Sequence, residues 1–402
     1  MLKYFFYFII KFSLPHSCHL LIVGGGTGGF LYFLNFLPFL IGGGVYSLAD
    51  SRKPMSSVIP KGVTWYNEAA EAFNPKENFV KTSKGKKIYY DYMVIATGIE
   101  TRFDLIPGLV EALEDPTSGV CSNYSSRYVT KTFETIRKFD SGNAVFTFPS
   151  TPVKCAGAPQ KICYLSESYF SKHGKRDKAN VKYFAATPVI FSCKKYADEL
   201  HKICARRNIE VNLRHNLKEI LPNSKEAVFD VLDKPGEVVK VPFSMLHVTP
   251  PMTPPAVLKT GPLLTDDSGF VNVDKETLQH NSNLPTSKTA AAVAAQSKIL
   301  WNNLYACLDG KPVESSYNGY TSCPLVTGYD SLIMAEFDYK LQPMETFPFN
   351  QAKERKSMYF LKKNVLPFMY WNGMLKGIWN GPGAFRKLFH PFAGVMKNNT
   401  AK

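Results

Sequence analysis

His19–Val23 is a short apolar run that ends in Gly24-Gly25-Gly26-Thr27-Gly28-Gly29, a match to G-x-G-x-x-G. A β-like run leading straight into such a loop constrains the chain more than any other feature in it. The first glycine permits a tight turn, the second a close approach of backbone to a pyrophosphate, and the third close packing of a following helix on the strand. Gly24, Gly26 and Gly29 fill those places. The helix would aim the positive end of its dipole at the phosphates. The usual companion of this loop is an acid about 20 residues further on, closing a second strand. Asp50 stands at that count, but Ser47-Leu48-Ala49-Asp50-Ser51-Arg52 closes no β-like run. Asp50 therefore reads as a solvated loop acid and not a ribose ligand.

Later segments fit the same architecture. Met93-Val94-Ile95-Ala96-Thr97-Gly98 is an apolar strand ending in A-T-G, a flavoprotein crossover signal, which makes Thr97 and Gly98 cofactor-binding candidates. Asn143–Phe148 and Lys182–Phe191 read as strands. So do Ala227–Leu232 and Val238–Val241, with Lys234-Pro235-Gly236 as the turn between them. Ala197–Arg206 is helical, with Ala197, Leu200, Ile203 and Cys204 on one face. Alternating strands and helices predict α/β domains with mainly parallel sheets.

Composition removes several classes. A chain that is 45% hydrophobic and 20% charged is not disordered. Eight cysteines in 402 residues make no disulfide scaffold. The formal charge of +15 is unevenly placed: residues 353–402 hold ten Lys/Arg against Glu354, so +9 of it lies there. The same stretch carries nine aromatic residues, among them Phe368, Tyr370, Trp371 and Trp379. Met358, Leu361, Val365, Phe368 and Met369 fall near helical spacing. A basic amphipathic segment bearing Trp and Phe reads as a membrane-interface element; an ordinary core-facing helix is the other reading. No nucleic-acid fold motif accompanies the basic residues. The uncharged stretch between Lys11 and Asp50 is broken by its glycines and Pro38, so it is no spanning helix, which needs about 20 apolar residues. Neither a secretory signal nor an Arg-rich transit peptide is evident. No metal-ligand pattern is read.

Cys155 sits in Thr151-Pro152-Val153-Lys154-Cys155-Ala156-Gly157-Ala158-Pro159-Gln160-Lys161, between two lysines and ahead of a helical pattern. Positive charge and a helix start both favour a thiolate. Cys323 lies in a similar loop, Tyr320-Thr321-Ser322-Cys323-Pro324-Leu325. The two form either a redox pair that closes in three dimensions or two unrelated buried thiols, the usual fate of a lone Cys.

These strings identify a resemblance. Thr147-Phe148-Pro149 with Pro152–Lys161, Leu246–Met252, Leu284–Gln296 and Gly319–Gly328 closely resemble the mitochondrial-type sulfide:quinone oxidoreductases, of the flavin disulfide reductase superfamily. The likeness runs from about His19 to His390. It implies FAD, two Rossmann-like FAD/NAD(P)-binding domains and a C-terminal membrane-docking helical segment. On this chain these would be residues 18–125 with 247–335, residues 126–246, and residues 336–402. It implies that Cys155 and Cys323 are the redox pair, disulfide-linked or bridged by an extra sulfur at rest. Hydrogen sulfide would attack Cys323, giving a persulfide there and a Cys155 thiolate beside the flavin. Glutathione, sulfite or a second sulfide would take the sulfane sulfur, and ubiquinone the electrons. Thr27 and Gly28 match pyrophosphate contacts, and Ala290, Ala291, Ala292 and Val293 match a helix N-terminus facing the flavin. Phe368, Tyr370 and Trp371 are quinone or membrane candidates, and Cys121 an accessory thiol. Cys163, Cys193, Cys204 and Cys307 are structural. The implied site is the inner mitochondrial membrane surface.

The chain also departs from the pattern. Between Gly29 and Gly42 the family carries a helix and a second strand ending in the ribose-binding acid; here Phe30–Ile41 stands instead. After Gln279-His280 the family's strand and Gly-Asp dipeptide are missing. Loss of two strands predicts unpaired sheet neighbours and weak or absent FAD binding. The alternatives are a flavin-deficient membrane-associated protein or incomplete gene model, and a type II NADH:quinone oxidoreductase-like enzyme.

Overall fold

The computed structural model describes residues 9–13, 19–24, 31–33, 38–280 and 289–391. Within them His19–Val23 forms a strand, with Leu20, Leu21 and Val23 buried. It pairs in parallel with Tyr92–Ile95, in the register Leu20↔Tyr92 to Val23↔Ile95. Its other edge is not left unpaired, contrary to the expectation from the missing strand. Ile9–Ser13 lies along it, antiparallel, from Ile9↔Val23 to Ser13↔His19, and Thr64–Tyr66 pairs with the far side of Ile9–Ser13. An open edge offers a row of unsatisfied N–H and C=O groups. Only residues 14–18 separate the two strands, while a parallel crossover needs about a dozen residues. The substitute strand must therefore run antiparallel. The apolar stretch Phe30–Ile41 is also partly built into the fold. Leu31–Phe33 pairs with Arg52–Pro54, and the helix Pro38–Gly42 buries Phe39, Leu40 and Ile41.

Gly24 ends the His19–Val23 strand at φ +134°, and a Cβ there would stand 2.1 Å from the Ala96 carbonyl oxygen. Gly24→Ala is expected to cost at least about 2 kcal/mol, through a left-handed backbone and a backbone clash. The measurement is the thermal unfolding midpoint, and an unchanged midpoint would refute the clash.

The second sheet runs in the order Val120–Cys121, Met245–His247, Gly142–Phe148, Ala179–Ala185, Glu210–Leu213, all pairs parallel. It draws Val120–Cys121 from before residue 126, because that strand completes the edge beside Met245–His247. The strand expected over Lys182–Phe191 ends at Ala185; Pro188 follows and has no N–H for a ladder. Alternate residues feed two cores, as a strand period of two requires. Ala144 and Phe146 pack with the helices Val129–Lys138, Ala158–Lys172 and Lys194–Arg206, while Val145 packs under the antiparallel strands His215–Leu221, Glu226–Val231 and Val238–Pro242. The hairpin Thr321–Val326/Leu332–Phe337 adds Cys323, Leu325, Ile333, Ala335 and Phe337 to the helical core. That contact brings two distant parts of the sequence together.

The C-terminal segment is helical but irregular: α over Lys356–Phe360 and Leu366–Met369, π over Leu361–Val365 and Tyr370–Met374. The wide turns rotate the faces relative to a regular helix. Phe368 is 66% exposed, whereas Tyr370 is 8% exposed and packs with Phe39, Leu40 and Met358. Among the described residues no helix is long and apolar enough to cross a membrane.

Candidate active site

Cys155 follows the C-terminal end of Gly142–Phe148 and precedes the helix Ala158–Lys172. Its backbone is left-handed, φ +58°, and its carbonyl accepts the Ala158 N–H at 2.8 Å. A non-glycine residue in this region stores strain, which often marks a functional position. The preceding loop is pinned to Met252: the Met252 N–H donates to Thr151 Oγ1 at 2.9 Å, and the Lys154 N–H to the Met252 sulfur at 3.1 Å. Cys323 comes from the hairpin, where it pairs with Ala335. The two sulfurs lie 3.7 Å apart as free thiols. Gly157 makes this approach possible, since a Cβ there would fall 2.7 Å from the Cys323 sulfur.

Of the two lysines flanking Cys155 in sequence, only Lys161 reaches the sulfur. Ala158–Lys172 carries it inward, 1% exposed, with Nζ 3.3 Å from Cys155 Sγ. Lys154 faces Glu100, and burial pushes its ammonium down to about 8. The Cys155 thiol is held well below its usual range, first by the hydrogen bond with Cys323 and then by Lys161. Cys323 is pushed well above its range by that same bond and by burial. Ionisation in the pair is therefore directed to Cys155, opposite Lys161; burial pushes the Lys161 ammonium down, but the charges and hydrogen bonds of both cysteines together leave it raised. A second buried lysine, Lys362, is 3% exposed and lies in the first π turn. The Phe39 ring is near both, its centroid 4.6 Å from Lys161 Nζ and 5.6 Å from Lys362 Nζ. Burial and the nearby Lys161 charge hold Lys362 well below the usual lysine range. Sequence reasoning missed Lys362 and Phe39. One signal was present: Lys362 falls four residues after buried Met358, on the same helix face.

Cys121 is not part of this pair. Its sulfur faces the Leu246 carbonyl at 3.7 Å, and burial pushes its thiol up to about 12. It packs in the helical core with Ile136, Phe139 and Met245. Cys163, Cys193 and Cys204 are buried, and desolvation pushes their thiols up.

One set of flavin candidates lies beside the cysteine strand. Ala290, Ala291, Ala292 and Val293 open the helix Ala290–Leu308. Thr289 caps it, its Oγ1 accepting the Ala292 N–H at 3.1 Å and meeting Thr321 Oγ1 at 2.8 Å, two residues from Cys323. The helix start is thus tied to the cysteine strand, with first-turn amides available as donors. Thr97 and Gly98 follow the strand Tyr92–Ile95; Gly98 has φ +70° and open space where a Cβ would be. Gly26, Thr27, Gly28 and Gly29 lie outside the described residues. These features fit a flavin at the cysteine end. Asp50 is exposed, and its carboxylate accepts from Ser47 N and Oγ at 3.0 and 2.7 Å. Of the quinone or membrane candidates, Phe368 faces solvent, Tyr370 is in the core, and Trp371 lies under Lys53 Nζ at 4.5 Å.

No protein-family model matches the chain. It is 49% identical to the mitochondrial sulfide:quinone oxidoreductase of Mus musculus, over 92% of this chain and 89% of that protein. It is 43% identical to the Dictyostelium discoideum protein of the same name, over 95% and 90%. Its fold is similar to the crystal structure of the Aquifex aeolicus sulfide:quinone oxidoreductase, with TM-score 0.70 and 17% identity over 90% of this chain and 87% of that one. With identity at this level over nearly the whole length, and a cysteine pair assembled beside a lysine, the chain belongs to the mitochondrial-type sulfide:quinone oxidoreductases.

Proposed function

We propose that this chain oxidises hydrogen sulfide at Cys155 and Cys323 and passes two electrons to ubiquinone, with FAD as its cofactor. The observation that carries the proposal is the 3.7 Å sulfur pair with Lys161 Nζ 3.3 Å from Cys155. In the oxidised pair, hydrosulfide attacks the Cys323 sulfur. A new S–S bond forms there, the Cys155–Cys323 bond breaks, and Cys155 leaves as a thiolate beside Lys161. Glutathione or sulfite then removes the sulfane sulfur and leaves a Cys323 thiolate. Re-forming the Cys155–Cys323 bond releases two electrons, and ubiquinone takes them with two protons. A bound flavin supplies the two-electron relay between thiolate and quinone. Gly24, Gly26, Thr27, Gly28, Gly29, Thr97, Gly98 and Ala290–Val293 would hold it.

Exposed Phe360, Phe368, Ile378 and Leu388, beside exposed Lys376 and Lys387, support docking on an anionic membrane, here the inner mitochondrial membrane. The acid missing at the adenosine end supports loose retention of FAD. Neither the NADH-oxidising reading nor the non-catalytic one gives a buried lysine–thiolate pair a task.

The test is an anaerobic titration of the purified chain, supplemented with FAD. Sulfide is expected to bleach the visible flavin band, and a ubiquinone analogue to restore it. Flavin content as purified should fall short of one per chain. Bleaching by NADH and not by sulfide would overturn the proposal.

A further inference from the structure

Phe39 falls in Phe30–Ile41, the stretch where the chain departs from the pattern it otherwise resembles, so no role is carried over to it. Pro38 opens the helix Pro38–Gly42, its fixed φ suited to a first helical position. The turn that follows is held from three sides. The Gly43 N–H donates to the Phe39 carbonyl at 2.9 Å, and a Cβ on Gly43 would stand 2.7 Å from Leu165 Cδ1. The Tyr329 hydroxyl donates to the Gly43 carbonyl at 2.7 Å. The Tyr46 hydroxyl donates to the carbonyl of Lys363, next to Lys362.

The Phe39 side chain is 3% exposed and packs with Leu165, Val326 and Met358. Leu165 follows Lys161 by four residues on the helix Ala158–Lys172, so the two share a face. Val326 lies on the strand of Cys323, Thr321–Val326. Met358 precedes Lys362 by four residues. The ring is thus fixed by the same three segments that build the sulfur site.

Lys161 Nζ stands over this ring, 4.6 Å from its centroid, and 3.3 Å from Cys155 Sγ. The face of an aromatic ring is negative and attracts an ammonium, most strongly where water is excluded. The charge on the sulfur side is not constant. In the dithiol state, negative charge on the cysteines outweighs burial and leaves Lys161 raised. Once the sulfurs are joined, neither cysteine carries charge, and an enclosed ammonium without compensation is costly. Lys362, facing Lys161 from the C-terminal segment, repels it when charged. The titratable side chains in and around the Phe39 cluster are Tyr46, Tyr329, Tyr359 and Tyr370. Burial holds the first three above the ordinary tyrosine range, so none of these three supplies an anion. The Phe39 face is the attraction that does not vanish when the S–S bond forms.

We propose that Phe39 is a positioning residue for sulfide oxidation: its π face keeps the Lys161 ammonium charged and aimed at Cys155 while the sulfurs are joined. This assignment rests on the sulfide-oxidising reading above. Lys161 is then already a cation when Cys155 leaves as a thiolate, and no proton has to reach the enclosed amine during the attack.

The test uses the FAD-loaded full chain with its cysteine pair oxidised and its lysines isotope-labelled at the ε carbon. The NMR signal missing from Lys161→Met reports Lys161, and its pH titration reads the charge directly. Mono-, di- and trifluorophenylalanine, incorporated at position 39 alone, keep the ring's shape while draining its π face. The Lys161 midpoint is expected to fall with each fluorine, by about one pH unit in all, a roughly tenfold weaker hold on the proton. The alkaline limb of kcat/KM for sulfide should fall with it. A midpoint that stays in place along the series overturns the assignment. An alkaline limb that falls while the Lys161 midpoint stays gives the limb to another group and also overturns it. A wild-type chain that does not consume sulfide overturns the sulfide reading and the role in it, and the NMR midpoint distinguishes that failure from a failure of the ring.

Discussion

Cys155→Ser is expected to lower sulfide-dependent ubiquinone reduction at least about a thousandfold, equivalent to about 4 kcal/mol in the barrier. Serine fills the same space but is neither acidic enough to ionise beside Lys161 nor able to form the S–S bond that the cycle needs. Cys323→Ser should cost as much, and the double variant little more than either, because residues acting as one unit are not additive. The structure supplies the control. Cys163 is 1% exposed in the same helical core and has no part in the proposed sulfur exchange, so Cys163→Ala should retain turnover and lose only stability. The measurement is quinone absorbance under sulfide, alongside a thermal melt. Residual activity above about one part in ten in Cys155→Ser would remove the pair from the mechanism.

Lys161→Met is expected to lower kcat about a hundredfold, the scale seen when one charge-stabilising donor is lost from an enclosed site. Methionine keeps much of the side-chain volume, so the effect separates charge from packing. Cys155 would lose the charge 3.3 Å away that favours its thiolate. The pH at which Cys155 reaches half-maximal alkylation by iodoacetamide should therefore move upward. The same linkage acts on stability in the dithiol state. Cys155 is depressed in the fold, so its contribution is full above the unfolded thiol value, about 8.5, and is lost as pH falls through the folded value. Lys161 is raised, so its contribution is full below about 10.5 and is lost as pH rises through its folded value. The pair thus stabilises the reduced protein most at mildly alkaline pH, and Lys161→Met should flatten that maximum. An alkylation profile identical to wild type would show that Lys161 does not set the thiolate.

Much of this was legible in sequence because it is local. The His19–Val23 run and Gly24 specify a strand and a tight turn by residue type alone. Ala197, Leu200, Ile203 and Cys204 repeat at helical spacing, and the helix Lys194–Arg206 buries all four. The strand pair Glu226–Val231 and Val238–Pro242 follows from β-branched residues around Lys234-Pro235-Gly236. The motif strings around Cys155 and Cys323 were enough to place the chain in its family. Lys161 was visible as a neighbour in sequence, but which of Lys154 and Lys161 would reach the sulfur was not. That depends on the pitch of a helix that begins at Ala158.

What the tertiary structure alone decided involves pairings across long separations. Ile9–Ser13 lines the edge of His19–Val23 because an open sheet edge accepts any chain able to supply hydrogen bonds, and no residue pattern announces that. Phe39, Lys161 and Lys362 meet only when three segments pack together, and a lysine in a basic tail looks like surface until the fold buries it. Sequence therefore determined the family and the local strands and helices, because residue type and spacing act over a few positions. The fold decided that Cys155 and Cys323 meet and which charge faces them, because burial and partnership are properties of contacts between segments.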